Sequence, residues 1–303
     1  MSEEIKNVTI VGASGNVGAP VLRALLDANC FTITVLIRPT STSTFPPGPT
    51  VEEVDFDSHA SLVSALKGQD AVICTVPEGV QQPIIDAAVA AGVRRFILSE
   101  FGLDTRTITT DQLEGLGKIM QGKVQMLEYI QNKSKENPGF TWTAIKTGPF
   151  FDWGLAWGSL GFEKKTKTAQ ICDSGNERFP ACNLPFVGKA VVAVLQHLDK
   201  TANAYLEVAS FNTTQNDILA LIKKNSSDGA EWNVIHTGST EIKKAGLESL
   251  GKGDFFGGFI PLLMNHWFAD GAGRALKLED SANAILGLAE EDPESAIKAW
   301  LAN

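Results

Sequence analysis

The chain has 303 residues, of which 44% are hydrophobic and 20% charged, with 26 Lys and Arg against 35 Asp and Glu. That is enough apolar material for a sizeable core, which excludes a mostly disordered chain, and the length suits one large α/β unit or two closely joined domains. A formal charge of −9 without any basic stripe argues against a nucleic-acid binder.

The first residues, Met-Ser-Glu-Glu-Ile-Lys, run straight into an apolar strand with no basic n-region and no cleavable apolar stretch. No uninterrupted apolar run approaches the ~20 residues that span a bilayer. Cys30, Cys74, Cys172 and Cys182 stand far apart, without metal-ligand spacing, and read as reduced thiols. The expectation is a cytoplasmic protein that engages neither membrane nor nucleic acid.

In chain order, Asn7–Val11 reads as a strand and Gly18–Ala28 as a helix with Val21, Leu22, Leu25 and Leu26 on one face. Phe31–Ile37 and Val51–Phe56 are strands, followed by a helix over Ser58–Leu66. Ala71–Thr75 is a fourth strand, Gln81–Ala91 a helix closed by Gly92, and Arg95–Leu98 a fifth strand. The polar stretch Thr105–Glu114 reads as a loop, Leu116–Lys135 as a helix and Phe140–Ile145 as a sixth strand. Regular alternation of this kind predicts an α/β, Rossmann-type, doubly wound parallel sheet. After Gly148 the texture changes to aromatics among glycines, without a linker. The expected division is therefore a dinucleotide-binding domain over 1–150 and a smaller substrate-binding region over 151–303. Part of the latter, about 187–198, is expected to return to the first domain.

Gly12-Ala13-Ser14-Gly15-Asn16-Val17-Gly18 directly follows the first strand and opens the first helix. In that setting Gly12 permits the tight turn and Gly15 the close approach of backbone to a pyrophosphate. Gly18 permits close helix–strand packing, and the helix start offers N–H groups to the anion. Ser14, Gly15, Asn16 and Val17 are accordingly candidate cofactor contacts. An NAD-preferring site places an acidic residue at the end of the second strand, yet none occurs between Asp27 and Glu52. Arg38 followed by Pro39-Thr40-Ser41-Thr42-Ser43 suits a 2′-phosphate instead, so NADP is favoured.

Thr75 and Pro77 follow the fourth strand and should border the nicotinamide ribose. Glu100 and Phe101 follow the fifth, on the carboxyl edge where open α/β sheets bind ligands. Glu100 either organises the Lys123 loop through a hydrogen bond or caps a turn. Phe150 and Phe151 follow the sixth strand, where a ring can pack on the nicotinamide. With Trp153 and Trp157 they suggest a flat or aromatic substrate, although Trp157 suits a structural cluster equally well. His59, His197, His236 and His266 stand alone, so no metal is expected, and no nucleophile elbow is present.

Several segments together resemble the NmrA-like and isoflavone-reductase-like branch of the atypical short-chain dehydrogenase/reductases. They are the Gly12-x-x-Gly15-x-x-Gly18 loop, Val54-Asp55-Phe56-Asp57, Gly68-Gln69-Asp70-Ala71-Val72, Arg94-Arg95-Phe96-Ile97-Leu98-Ser99-Glu100-Phe101-Gly102 and Thr141-Trp142-Thr143-Ala144-Ile145-Lys146-Thr147-Gly148-Pro149-Phe150. They cover roughly the first half of the chain. The resemblance implies a helical lysine as the catalytic group, and the matching segment Gly122-Lys123-Val124-Gln125 makes Lys123 that residue. Phe56, Glu100, Lys123 and Phe150 then join the expected cofactor contacts. Lys146 departs from the family pattern, in which Arg is more frequent. Tyr129-x-x-x-Lys133 imitates the catalytic pair of ordinary short-chain enzymes but lies too close to the sixth strand. Ile119, four residues before Lys123, cannot transfer a proton.

The expected activity is NADPH-dependent reduction of a small aromatic or conjugated carbonyl or enone, with Lys123 in proton transfer. A non-catalytic redox sensor that regulates a protein partner is the alternative, as is a same-fold isomerase, dehydratase or cyclase. The expected partner is a small-molecule substrate, with the chain a monomer or homodimer.

Overall fold

The computed structural model describes residues 4–107, 115–226 and 231–302. Up to the middle of the chain it gives β1 (Asn7–Val11), α1 (Gly18–Ala28), β2 (Thr32–Ile37), β3 (Thr50–Glu53), α2 (His59–Leu66), β4 (Ala71–Cys74), α3 (Gln81–Ala91), β5 (Arg95–Leu98), α4 (Leu116–Glu136) and β6 (Thr141–Lys146). The remainder gives α5 (Phe151–Ala156), β7 (Phe162–Glu163), β8 (Thr168–Cys172), β9 (Phe179–Ala181), α6 (Leu184–Gln196), α7 (Leu198–Thr201), β10 (Ala204–Glu207) and β11 (Phe211–Thr213). There follow α8 (Gln215–Asn225), β12 (Asn233–Thr237), α9 (Ser239–Gly251), α10 (Phe255–Phe268), α11 (Asn283–Leu286) and α12 (Pro293–Ala302). Of the loop expected over 105–114, only the 3-10 turn Thr105–Thr107 is described, and 108–114 lie outside the described residues.

Seven strands form one parallel sheet in the order β10-β6-β5-β4-β1-β2-β3. This is the Rossmann-type doubly wound arrangement, and the chain reverses direction across the sheet between β1 and β4. Strands covered on both faces read as continuous apolar runs, and β4 and β5 are buried at every position. Alternate residues serve the two layers. Val8, Ile10, Ile73 and Ile97 pack with α1 and α6, whereas Val11, Val72, Phe96 and Leu98 pack with α2, α3 and α4. The outermost strand β3 is exposed along its whole length.

α6 lies against α1, where Gly188 is close enough to Pro20 O and Ala24 Cβ that any side chain would collide. β10 follows and pairs with β6 from Ala204↔Thr143 to Glu207↔Lys146. A separate core gathers Phe151, Leu155, Phe162, Phe179, Phe211, Trp267 and Phe268. Around it sit the antiparallel pair β11-β9 and the three-stranded sheet β12-β8-β7. Among the described residues, no helix is long and apolar enough to cross a membrane.

Candidate functional site at the carboxyl edge of the sheet

The glycine loop leaves β1 with Gly12 at φ +89°, a conformation open to glycine and strained for other residues. Its shape is fixed from the neighbouring strand. Thr75, just past β4, turns its hydroxyl to Val11 O at 2.9 Å and Gly12 O at 3.1 Å. A Cβ at Gly12 would fall 2.6 Å from Thr75 Oγ1, and one at Gly18 would overlap Gly12 O. The two glycines and the threonine are thus one interlocking unit. The backbone N–H groups of Ser14, Asn16 and Val17 donate to no acceptor among the described residues, and Ser14, Gly15 and Asn16 are exposed. Unpartnered donors at the start of an eleven-residue helix form an anion cradle. The donor set and the closely packed glycines fit a pyrophosphate.

β2 lies beside β1, with Leu36 opposite Val11, so Arg38 emerges two residues later next to this loop. It is exposed, and its carbonyl accepts from Ser41 N in a turn that Ser41 Oγ extends to Ser43 N. Phe56 is half-buried and packs against the α2–α3 layer.

Lys123 stands on α4, half-buried, with Nζ 3.3 Å from the carbonyl oxygen of Glu100. Burial lowers its pKa from the usual lysine value, while the carboxylates of Glu100 and Glu78 pull the other way. The side chain of Glu100 turns inward. It is 1% exposed, and its Oε2 accepts from Thr105 Oγ1 at 2.5 Å and from Tyr205 OH at 3.1 Å. Burial raises its pKa, against the influence of Lys123, Thr105 and Tyr205. Its other oxygen, Oε1, is buried without a hydrogen-bond partner among the described residues. Glu100 reaches Lys123 through its backbone and anchors β10 through its side chain.

Two of the aromatic expectations also change. Phe151 is fully buried, edge-on to Phe211 with ring centres 4.9 Å apart, and Phe101 is 7% exposed within the main core. Both rings pack inside hydrophobic cores, which leaves them little surface to offer a substrate. Phe150 is half-buried beside that core, bridging to Cys182. Trp153 and Trp157 stack at 5.7 Å, with Trp157 68% exposed, and Trp153 Nε1 is buried without a partner among the described residues. Pro77 is exposed at the mouth of β4.

Tyr129 and Lys133 both engage Asp86 of α3, at 2.6 and 2.8 Å. Burial and the adjacent Asp86 push the Tyr129 phenol upward, the wrong direction for a proton donor. Glu78, Thr105 and Tyr205 were not singled out from the sequence. They come to Lys123 and Glu100 from three separate elements, and no local spacing announces that. A cavity of about 630 Å³ lined by Asp152, Asn183, Glu291 and Trp300 includes neither Lys123 nor the glycine loop. Among the described residues, no cluster of His, Cys, Asp and Glu is placed to hold a metal.

The NmrA-like family profile matches residues 4–245. Oxidoreductase aprR of Aspergillus flavus is 39% identical, over 97% of this chain and 98% of that one. A crystal structure of isoflavone reductase superposes with a TM-score of 0.77 at 20% identity, covering 98% of this chain and all of the other. The binary complex of leucoanthocyanidin reductase with NADPH from Vitis vinifera also gives 0.77, at 17% identity and with the same coverage.

Proposed function

The chain belongs to the NmrA-like family, and from that premise we propose that it is an NADPH-dependent reductase of a small aromatic or conjugated carbonyl or enone, in which Lys123 manages the proton. Its fungal relative named an oxidoreductase and the NADPH held by a structural neighbour support the class of reaction and the cofactor.

The residues that would hold NADPH are the donors of Ser14, Asn16 and Val17 for the pyrophosphate and Arg38 with its hydroxyl neighbours for the 2′-phosphate. Thr75 and Pro77 would border the nicotinamide end. When bound, NADPH supplies the hydride. The protein supplies position and proton control. Reduction of a carbonyl or enone leaves an oxygen that needs a proton, and Lys123 Nζ is the donor on this edge of the sheet. Its partial burial makes the ammonium a stronger acid than a solvated lysine, as general acid catalysis near neutral pH requires. Glu100 O accepts one of its hydrogens and so fixes the direction in which the others point.

The observation that carries this reading is Lys123 itself, a part-buried cation tethered to the end of β5, with β4 between that strand and the glycine loop's β1. The test is Lys123→Ala in an assay of NADPH oxidation against a panel of aromatic ketones and enones. We expect turnover to fall by ~10²-fold or more while NADPH affinity changes only modestly. Unchanged turnover would remove Lys123 from the mechanism. Tight NADPH binding by the wild type without oxidation on any substrate would instead favour the redox sensor.

A further inference from the structure

Glu78 opens a single 3-10 turn, Glu78–Val80, between β4 and α3, one residue beyond Pro77. Its side chain does not extend into solvent. It is half-buried and crosses α4 at Gly122, where an added Cβ would overlap Glu78 Cγ and stand 2.9 Å from Oε1. Glycine is a weak former of helix interiors, and here its missing side chain is the notch that admits the carboxylate. The next residue of the helix is Lys123.

We propose that Glu78 is a positioning residue for Lys123: seated in the Gly122 notch, its carboxylate is a second counter-charge, beside that of Glu100, that helps keep the part-buried ammonium protonated and directed along the sheet edge. The proposal rests on the role given to Lys123 above. A desolvated lysine loses its proton more readily than a solvated one, so a lysine that must donate needs a nearby anion to remain charged between turnovers. Two carboxylates act on it, those of Glu100 and Glu78. Glu100 exerts the larger influence of the two; its Oε2 is taken by Thr105 and Tyr205, and its backbone carbonyl accepts from Lys123. Glu78 adds to it, and is the carboxylate whose position is set by α4.

The charged groups on the other elements packed against α4 have different partners. Asp86 of α3 holds Tyr129 and Lys133, and Arg106 holds Asp104 at 2.6 Å. Lys146 of β6 pairs with Glu207. On α10, Asp254 caps its own helix through Gly257 N, and His266 is held neutral by burial.

The experiment follows the Lys123 titration by NMR in full-length protein carrying ¹³Cε-labelled lysine, with the Lys123 resonance assigned from its loss in Lys123→Arg. Glu78→Gln removes the charge and keeps the shape. Gly122→Ala displaces the carboxylate without changing any charge, and Glu78→Asp retains the charge. We expect the first two to lower the Lys123 midpoint by about one pH unit, and Glu78→Asp to restore most of it. The basic limb of the kcat–pH profile should move by the same amount, with KM for NADPH little changed.

A midpoint unmoved by both Glu78→Gln and Gly122→Ala overturns the proposal, and in a wild type that oxidises NADPH it overturns this proposal alone. A wild type that oxidises no NADPH overturns the reductase reading. The NMR midpoint still reports on Glu78 in that case.

Discussion

Thr75 ties the glycine loop to β4 with one hydroxyl shared between two carbonyls, and Thr75→Val removes that tie while preserving the branched shape. One hydrogen bond of this kind is worth about 1 kcal/mol net. A methyl group in place of Oγ1 also sits too close to Val11 O and Gly12 O, at 2.9 and 3.1 Å in the wild type, because carbon and oxygen prefer a separation several tenths of an ångström larger. The loop must back away, so we expect a total cost of about 1.5–2 kcal/mol. At ~2–4 °C per kcal/mol for a chain of this size, Tm of the cofactor-free protein should fall by about 3–8 °C.

The same displacement spoils the cradle. NADPH affinity should drop by roughly fivefold to tenfold, the equivalent of about 1–1.4 kcal/mol. Calorimetry without cofactor and a nicotinamide fluorescence titration measure the two effects separately, with Thr75→Ser as the control that keeps the donor. Wild-type Tm and wild-type affinity in Thr75→Val would refute the interlock. A loss of affinity with Tm unchanged would mean that Thr75 only contacts cofactor.

Arg38→Ala should weaken NADPH by about tenfold or more while leaving NADH nearly as before, since only the former carries a 2′-phosphate for the guanidinium to meet. Equal losses in paired titrations would show that Arg38 does not read that group. His266 is pushed down to about 3 by burial, aided by the charges of Arg274 and Lys146, against an ordinary value of 6.5. Below pH 6.5 the unfolded chain therefore binds a proton that the folded chain refuses, and stability present above 6.5 is lost progressively as pH falls toward 3. In His266→Asn that acid decline should be shallower. Thermal melts of the two proteins across this range that stay parallel would show that His266 does not contribute.

Much of the sheet was legible because its strands are covered on both faces. Val8, Ile10, Ile73 and Phe96 stand in runs too apolar and β-branched to be anything but interior strands, and the intervening helices carry clear apolar faces. Beyond Gly148 that signal fades. β12 is mostly exposed and β7 is two residues long, so neither imposes a period on the sequence. The third strand was expected to reach Phe56, but pairing stops at Glu53 and Ser58 already caps α2.

The glycine loop was legible as a unit because its partners are local. Side-chain direction was not. Glu100, Phe101 and Phe151 each follow a strand on the correct edge, and only the backbone turn after the strand decides that all three point inward. Arg95 is an instructive case, read simply as the first residue of a strand. It is buried, and it donates to Thr141, Thr143, Thr201 and Leu198 O across β5, β6 and the α7 turn. Its acceptors lie 46 to 106 residues further along the chain, so no short window of sequence could reveal them.

The seat of α6 on α1, with Gly188 pressed against Pro20, also has a meaning in time. A ribosome delivers the glycine loop and the first six strands long before it delivers Gly188 and β10. From β6 to the end of β10 is roughly 60 residues, which at ~5–20 residues per second is about 3–12 s of synthesis. Throughout that interval the apolar outer side of α1 is uncovered, and β6 is a bare edge open to any passing strand. The nascent chain is therefore most open to wrong pairing at one particular moment. Slow codons between β6 and α6 would prolong the risk, and slow codons after β10 would not.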